Sequence, residues 1–104
     1  MTVFFVTRHS GARAWAAEEG IVVDEVIAHL EPECIQAGDR VIGTLPANLA
    51  AEVCARGGRY LHLSLDLPAP LRGAELTAEQ MRQCGASLEE YRIERLPRDP
   101  ASGH

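Results

Sequence analysis

Apolar runs and Ala-rich stretches alternate along this chain, and three of the runs break into polar clusters at their downstream ends. Thr2–Val6 leads into Arg8, His9, Ser10 and Gly11. Arg40–Ile42 leads into Gly43, Thr44, Leu45, Pro46, Ala47 and Asn48, and Tyr60–Leu63 leads into Ser64, Leu65, Asp66, Leu67 and Pro68. Short apolar runs bounded by such turn residues predict strands. Between the first two runs, Gly11–Glu19 is Ala-rich around Trp15, with Ser10 placed as an N-cap and Gly20 as a C′ residue. That pattern predicts a short helix. Ile21–Leu30 is rich in Val and Ile and predicts a second strand, and Glu31–Asp39, with Pro32 and Gly38, a loop or single turn.

Downstream of Arg40–Gly43, Pro46–Arg56 predicts a helix whose buried stripe is Leu49, Ala50, Val53 and Cys54, stopped by Gly57 and Gly58. Tyr60–Leu65 is the fourth predicted strand. Asp66–Glu75 carries Pro68, Pro70 and Gly73, too many breakers for a regular element, and predicts a long ordered loop. Thr77 and Gln80 have capping-box spacing, so a helix follows to Cys84 and ends at Gly85. Leu88–Leu96 predicts a last, edge strand, and Pro97–His104 a disordered tail. The order β-α-β-β-α-β-α-β predicts one domain over residues 1–96, a small three-layer α/β sandwich with a largely parallel sheet.

Composition narrows the partners. A chain of 104 residues supports one modest core. The net charge of −5 argues against a duplex-binding protein, which carries a broad basic footprint, so no DNA partner is expected. A small anionic ligand remains compatible, because a local site can be positive on an acidic protein. All ten basic residues are Arg. Arg matches phosphate geometry bidentately, although a compositional bias of the genome explains the absence of Lys more simply. The three cysteines form no CxxC pair, and their odd number argues against a disulfide framework. A reducing cytoplasm is the expected location. No apolar run approaches the roughly 18 residues of a membrane span, and no secretory leader is expected. No His/Cys/Asp spacing makes a zinc site, so neither metal nor cofactor is expected.

The three polar clusters hold the candidate chemistry. In an open α/β sheet, ligands sit beyond the carboxyl ends of the strands, so parallel strands would bring the clusters to one crevice. Arg8-His9 reads in two ways of equal weight: a structural pair, with the imidazole bonded to the backbone, or a phosphate site. In the second reading Ser10 and Gly11 open a helix whose amides face an anion. Arg8 then adds a charge-assisted contact, and His9 passes a proton. Arg-His-x-Gly also resembles histidine phosphatases, but the chain is much shorter and shows no obvious second Arg and His. Gly43 would let a ligand approach the backbone. Thr44 serves either the backbone or a ligand, and Asn48 sits oddly in a first helical turn, where an amide would read a base or a ribose hydroxyl. Ser64 and Asp66 share a face at period two and are placed for ribose contacts or, for Asp66, for orienting His9 or capping a turn. His62 reads as a satisfied core histidine. His29 and His104 lack context.

Taken together, Phe5-Val6-Thr7-Arg8-His9-x-Gly11-Ala12, Gly38–Pro46, Leu49–Cys54, Tyr60–Pro68 and Arg72-Gly73-x-Glu75-Leu76 resemble the Csx-sixteen type of CRISPR-associated accessory protein found beside type III systems. The resemblance covers Val3 to Arg92 and is most specific at Gly43–Pro46 and His62–Pro68. It implies a CARF-related, Rossmann-like homodimer that binds a cyclic oligoadenylate, cyclic tetra-adenylate first among them. It also implies a ring nuclease that switches the antiviral response off. Cutting such a ring without a metal requires in-line attack by a ribose 2′-hydroxyl on its neighbouring phosphorus, giving a 2′,3′-cyclic phosphate. The expected catalytic residues are His9 and Arg8. Ser10, Gly11, Gly43, Thr44, Asn48, Ser64 and Asp66 are the expected ligand-binding residues. A module that sequesters the ring uncut, a phosphomonoesterase built on Arg8-His9, and a structural partner of a larger CRISPR complex are the competing readings.

Overall fold

The computed structural model describes residues 1–98. Five strands, β1 (Val3–Val6), β2 (Glu25–Ile27), β3 (Arg40–Gly43), β4 (Arg59–Ser64) and β5 (Ser87–Tyr91), form one sheet in the order β2-β1-β3-β4-β5. Strands β1 to β4 run parallel, and β5 pairs antiparallel with β4 at the edge. Three helices connect them: α1 (Ala12–Glu18), α2 (Ala47–Ala55) and α3 (Ala78–Gln83). Helices α1 and α3 pack side by side on one face, whereas α2 and the 3₁₀ turn Pro32–Cys34 cover the other. The chain is therefore an α/β sandwich of Rossmann-like build, as the element order predicts.

Alternation along the strands divides the core in two. Phe5, Ile42 and Leu63 point toward α1 and α3, where they meet Trp15, Ala16, Leu76 and Met81. The Phe5 and Trp15 rings meet edge to face at 6.3 Å, and Trp15 is only 1% exposed. Burying side chains of this kind contributes about 1.5–3 kcal/mol each, which makes this the heavier half of the core. On the opposite face Phe4, Val41 and Val53 pack with Leu30 and Ile35.

Two local expectations change. Ser10 does not cap α1: the cap position is Gly11, with no side-chain hydrogen bond. A Cβ at Gly11 would stand 2.2 Å from Ala78 N and 2.3 Å from Thr77 C. The glycine thus lets the start of α1 abut the start of α3, and this packing fixes the helix entry. The second strand is confined to Glu25–Ile27, and the last ends at Tyr91, so Arg92–Leu96 leaves the sheet. The capping box at Thr77 and Gln80 forms as the spacing predicts. Residues 99–104 of the expected tail lie outside the described residues, and Pro97 and Arg98 are exposed.

Candidate functional site

Because β1, β3 and β4 are adjacent and parallel, the segments Thr7–Gly11, Thr44–Asn48 and Leu65–Pro68 leave the same edge of the sheet. From β1 the chain turns back through α1 on one face, and from β3 through α2 on the other. Their divergence makes the topological switch point of the sheet, where open α/β folds take their ligands. Arg8, His9 and Ser10 stand on one lip of it, Thr44 and Asn48 on the other, and Ser64 and Asp66 one strand further along.

His9 is half-buried and already engaged. Its Nδ1 accepts the main-chain N–H of Leu76 at 3.1 Å. A bare Nδ1 leaves the proton of the neutral ring on Nε2, which makes that second nitrogen of His9 a donor. Gly11 N–H donates to the Leu76 carbonyl at 3.0 Å, so that amide is not free for an anion. The β1–α1 loop is laced to the residue just ahead of α3, on the α1/α3 side of the sheet.

A second network stands on the α2 side. The hydroxyl of Tyr60, a residue 1% exposed, accepts Leu45 N–H at 2.9 Å. It also lies 3.1 Å from the Gly43 carbonyl and 2.7 Å from His62 Nδ1. Burial pushes the Tyr60 phenol above its ordinary value, opposed in part by the Leu45 bond, so the phenol keeps its proton. Thr44 Oγ1 donates to the Leu63 carbonyl at 3.0 Å, fixing the turn after β3 against β4. A Cβ on Gly43 would stand 2.8 Å from the Val6 carbonyl, so close packing on β1 accounts for this glycine.

The remaining candidates face solvent. Arg8, Ser10, Asn48 and Asp66 are exposed, and Ser64 is half-buried at the end of β4. Arg8 has no acidic partner among the described residues, whereas Arg56, Arg59 and Arg82 are paired with Glu52, Glu90 and Glu18. Asp66 N–H donates to the Cys84 carbonyl, anchoring the turn beyond β4. The sheet edge therefore gathers the sequence candidates but splits them between two faces, with His9 toward α3 and the Tyr60 network toward α2. Sequence reasoning missed Tyr60 altogether and left His62 in the core. Their spacing of two residues on one strand is the signal that puts them on one face.

Arg8 and His9 line neither of two hollows found among the described residues. One of about 270 Å³ lies between α2 and Arg92–Arg95, where Cys54 Sγ accepts Ile93 N–H. The other, about 350 Å³, is lined by Val3, Ile42, Leu61 and Leu88 beside Arg40. At the switch-point edge Arg8, Ser10, Thr44, Asn48 and Asp66 are exposed. Among the described residues no three His, Cys, Asp or Glu side chains gather as a metal ion requires, and no helix is long and apolar enough to cross a membrane.

The family model described as "Putative CRISPR-associated protein (Cas_VVA1548)" matches residues 4–94. No curated protein and no solved structure matches the chain.

Proposed function

The chain belongs to this CRISPR-associated family, and from that premise we propose that it binds a cyclic oligoadenylate at the carboxyl edge of its sheet and cuts the ring without a metal. The reading is supported by one observation above others: loops from three adjacent parallel strands bring Arg8, Thr44, Asn48, Ser64 and Asp66 to one open edge. Arg8 is the phosphate contact, since its guanidinium is exposed and unpaired among the described residues. Asn48, Ser64 and Asp66 supply amide, hydroxyl and carboxylate for base and ribose. Ring opening follows attack of a 2′-hydroxyl on the adjacent phosphorus. Correct placement of those atoms supplies much of the acceleration. An open edge on a small domain suits a ligand held between two copies, and a two-fold dimer presents each cluster twice to a ring with repeating units.

One observation favours the sequestering module instead. His9 spends Nδ1 on Leu76 N–H, and delivering a proton as an imidazolium would require breaking that bond. The same contact counts against a phosphohistidine on His9, because a protonated Nε2 has no lone pair for phosphorus. The deciding experiment incubates the protein with radiolabelled cyclic tetra-adenylate in EDTA and separates the products. Linear species ending in a cyclic phosphate support the nuclease. An intact ring that co-migrates with the protein makes it a sequestering module, and neither cutting nor binding overturns both readings.

A further inference from the structure

His62, set aside in the sequence as a core residue, has the geometry of a proton-transfer group. Tyr60 Oη carries one proton and has two acceptors within reach, the Gly43 carbonyl at 3.1 Å and His62 Nδ1 at 2.7 Å. Leu45 N–H already occupies one of its lone pairs. When His62 Nδ1 bears a proton, it donates to Tyr60 Oη, and Oη donates on to the Gly43 carbonyl. All these groups then have partners. When Nδ1 is bare, Oη must turn to it and abandon Gly43. The Nδ1–H form is therefore the one in which all three contacts of Tyr60 Oη are hydrogen bonds at once, the opposite of His9.

A neutral ring with its proton on Nδ1 has a lone pair on Nε2. That atom has no hydrogen-bond partner among the described residues, and no unpartnered side-chain nitrogen or oxygen there is cut off from solvent. The ring is held edge to face by Tyr60 and by Tyr91, each with centroids 5.8 Å away, at 72° and 78°. Across the sheet its register partners are Gly43, which has no side chain, and Glu89 on β5. Titratable groups beside it include Tyr60, Tyr91 and its register partner Glu89. An oriented base with one open nitrogen stands two residues before the end of β4, on the strand that delivers Ser64.

We propose that His62 is the proton-transfer residue of ring opening and Tyr60 the residue that positions it. This assignment rests on the ring-cutting reading above. His62 Nε2 takes the proton of the ribose 2′-hydroxyl as the 2′-oxygen bonds to phosphorus. The bond from phosphorus to the 5′-oxygen breaks, and that oxygen leaves as a hydroxyl with a proton from solvent water. His62 then returns its own proton to water. The products are a 2′,3′-cyclic phosphate and a 5′-hydroxyl, with no net change in protons.

The test combines ¹⁵N spectroscopy of the histidine rings with cutting assays on cyclic tetra-adenylate. Expected are the Nδ1–H form for His62 and, in the same spectrum, the Nε2–H form for His9. His62→Asn keeps a donor toward Tyr60 but has no base; it should fold and bind the ring normally yet cut about 100-fold more slowly or worse. Tyr60→Phe should lower kcat, leave KM unchanged and shift His62 toward Nε2–H. Wild-type rates in His62→Asn, or an Nε2–H form for His62 in the wild type, overturn the assignment while the ring-cutting reading stands. A wild-type protein that leaves the ring intact overturns that reading, and this role with it.

Discussion

Leu76 holds His9 through its main chain: its N–H donates to His9 Nδ1 at 3.1 Å, while its carbonyl accepts Gly11 N–H at 3.0 Å. The Leu76 side chain is meanwhile fully buried beneath α1 and α3. One residue thus joins the loop after β1 to the loop before α3. His9→Ala removes the acceptor and leaves the Leu76 N–H without a protein partner. The expected cost is about 1–2 kcal/mol, read as a lower urea midpoint with an unchanged slope. An unchanged midpoint would show that water replaces the imidazole freely and that the clamp adds nothing to stability.

Gly11 tests the same junction from its other side. The nearest atoms to a Cβ there are backbone atoms of Thr77 and Ala78, at 2.2–2.6 Å, and backbone yields less readily than the end of a side chain. Gly11→Ala should therefore destabilise by about 3 kcal/mol, at the severe end of overpacking. Gly73→Ala is the comparison. Its φ of +81° is unfavourable for alanine, but the space around it is open, so the loss should be nearer about 1 kcal/mol. Denaturant titration of both variants separates steric crowding from backbone strain, and equal losses would discard the crowding account.

Acid sensitivity is built into the amino edge. Asp39, 4% exposed, accepts Gln36 N–H at 3.0 Å and Thr2 N–H at 2.9 Å. Those two bonds hold its carboxyl below the ordinary value of 3.8, against the opposing effect of burial. A carboxyl depressed in the fold binds fewer protons there than in the unfolded chain. Its contribution is therefore complete above pH 3.8 and is lost as pH falls through the folded value. Asp39→Asn should be less stable at neutral pH and should lose part of the decline seen on acidification. Unfolding free energies measured along the pH series check this, and parallel wild-type and variant curves would refute it.

The strands were legible because their ends are punctuated. Gly43 through Pro46 and Ser64 through Pro68 stop β3 and β4 where the apolar pattern stops. Thr77 and Gln80 announced α3 through a contact that is local in sequence. The cap of α1 was illegible because it depends on α3: the backbone at Thr77 and Ala78, far along the chain, excludes a side chain at residue 11. The site divides in the same way. That Arg8, Thr44 and Ser64 share an edge follows from parallel strand order. Which face each histidine serves depends on partners such as Leu76 and Gly43, which are supplied by loop docking and sheet register. Tyr60 and His62, two residues apart on β4, left a trace that alternation alone could have read.

Arg8 offers the most direct check on the proposed ligand. A guanidinium contact with one phosphate should be worth about tenfold in affinity, about 1.4 kcal/mol. The contact is between charges at the surface, so it should weaken as salt rises. Arg8→Ala should thus bind cyclic tetra-adenylate about tenfold more weakly, with a shallower dependence of log affinity on log salt. Arg56→Ala should change neither quantity, since Arg56 lies at the far end of α2 beside Glu52. Calorimetric titrations across a sodium chloride series distinguish the two variants. Equal affinity and equal salt slope for Arg8→Ala and wild type would place the phosphate elsewhere than the lip formed by β1.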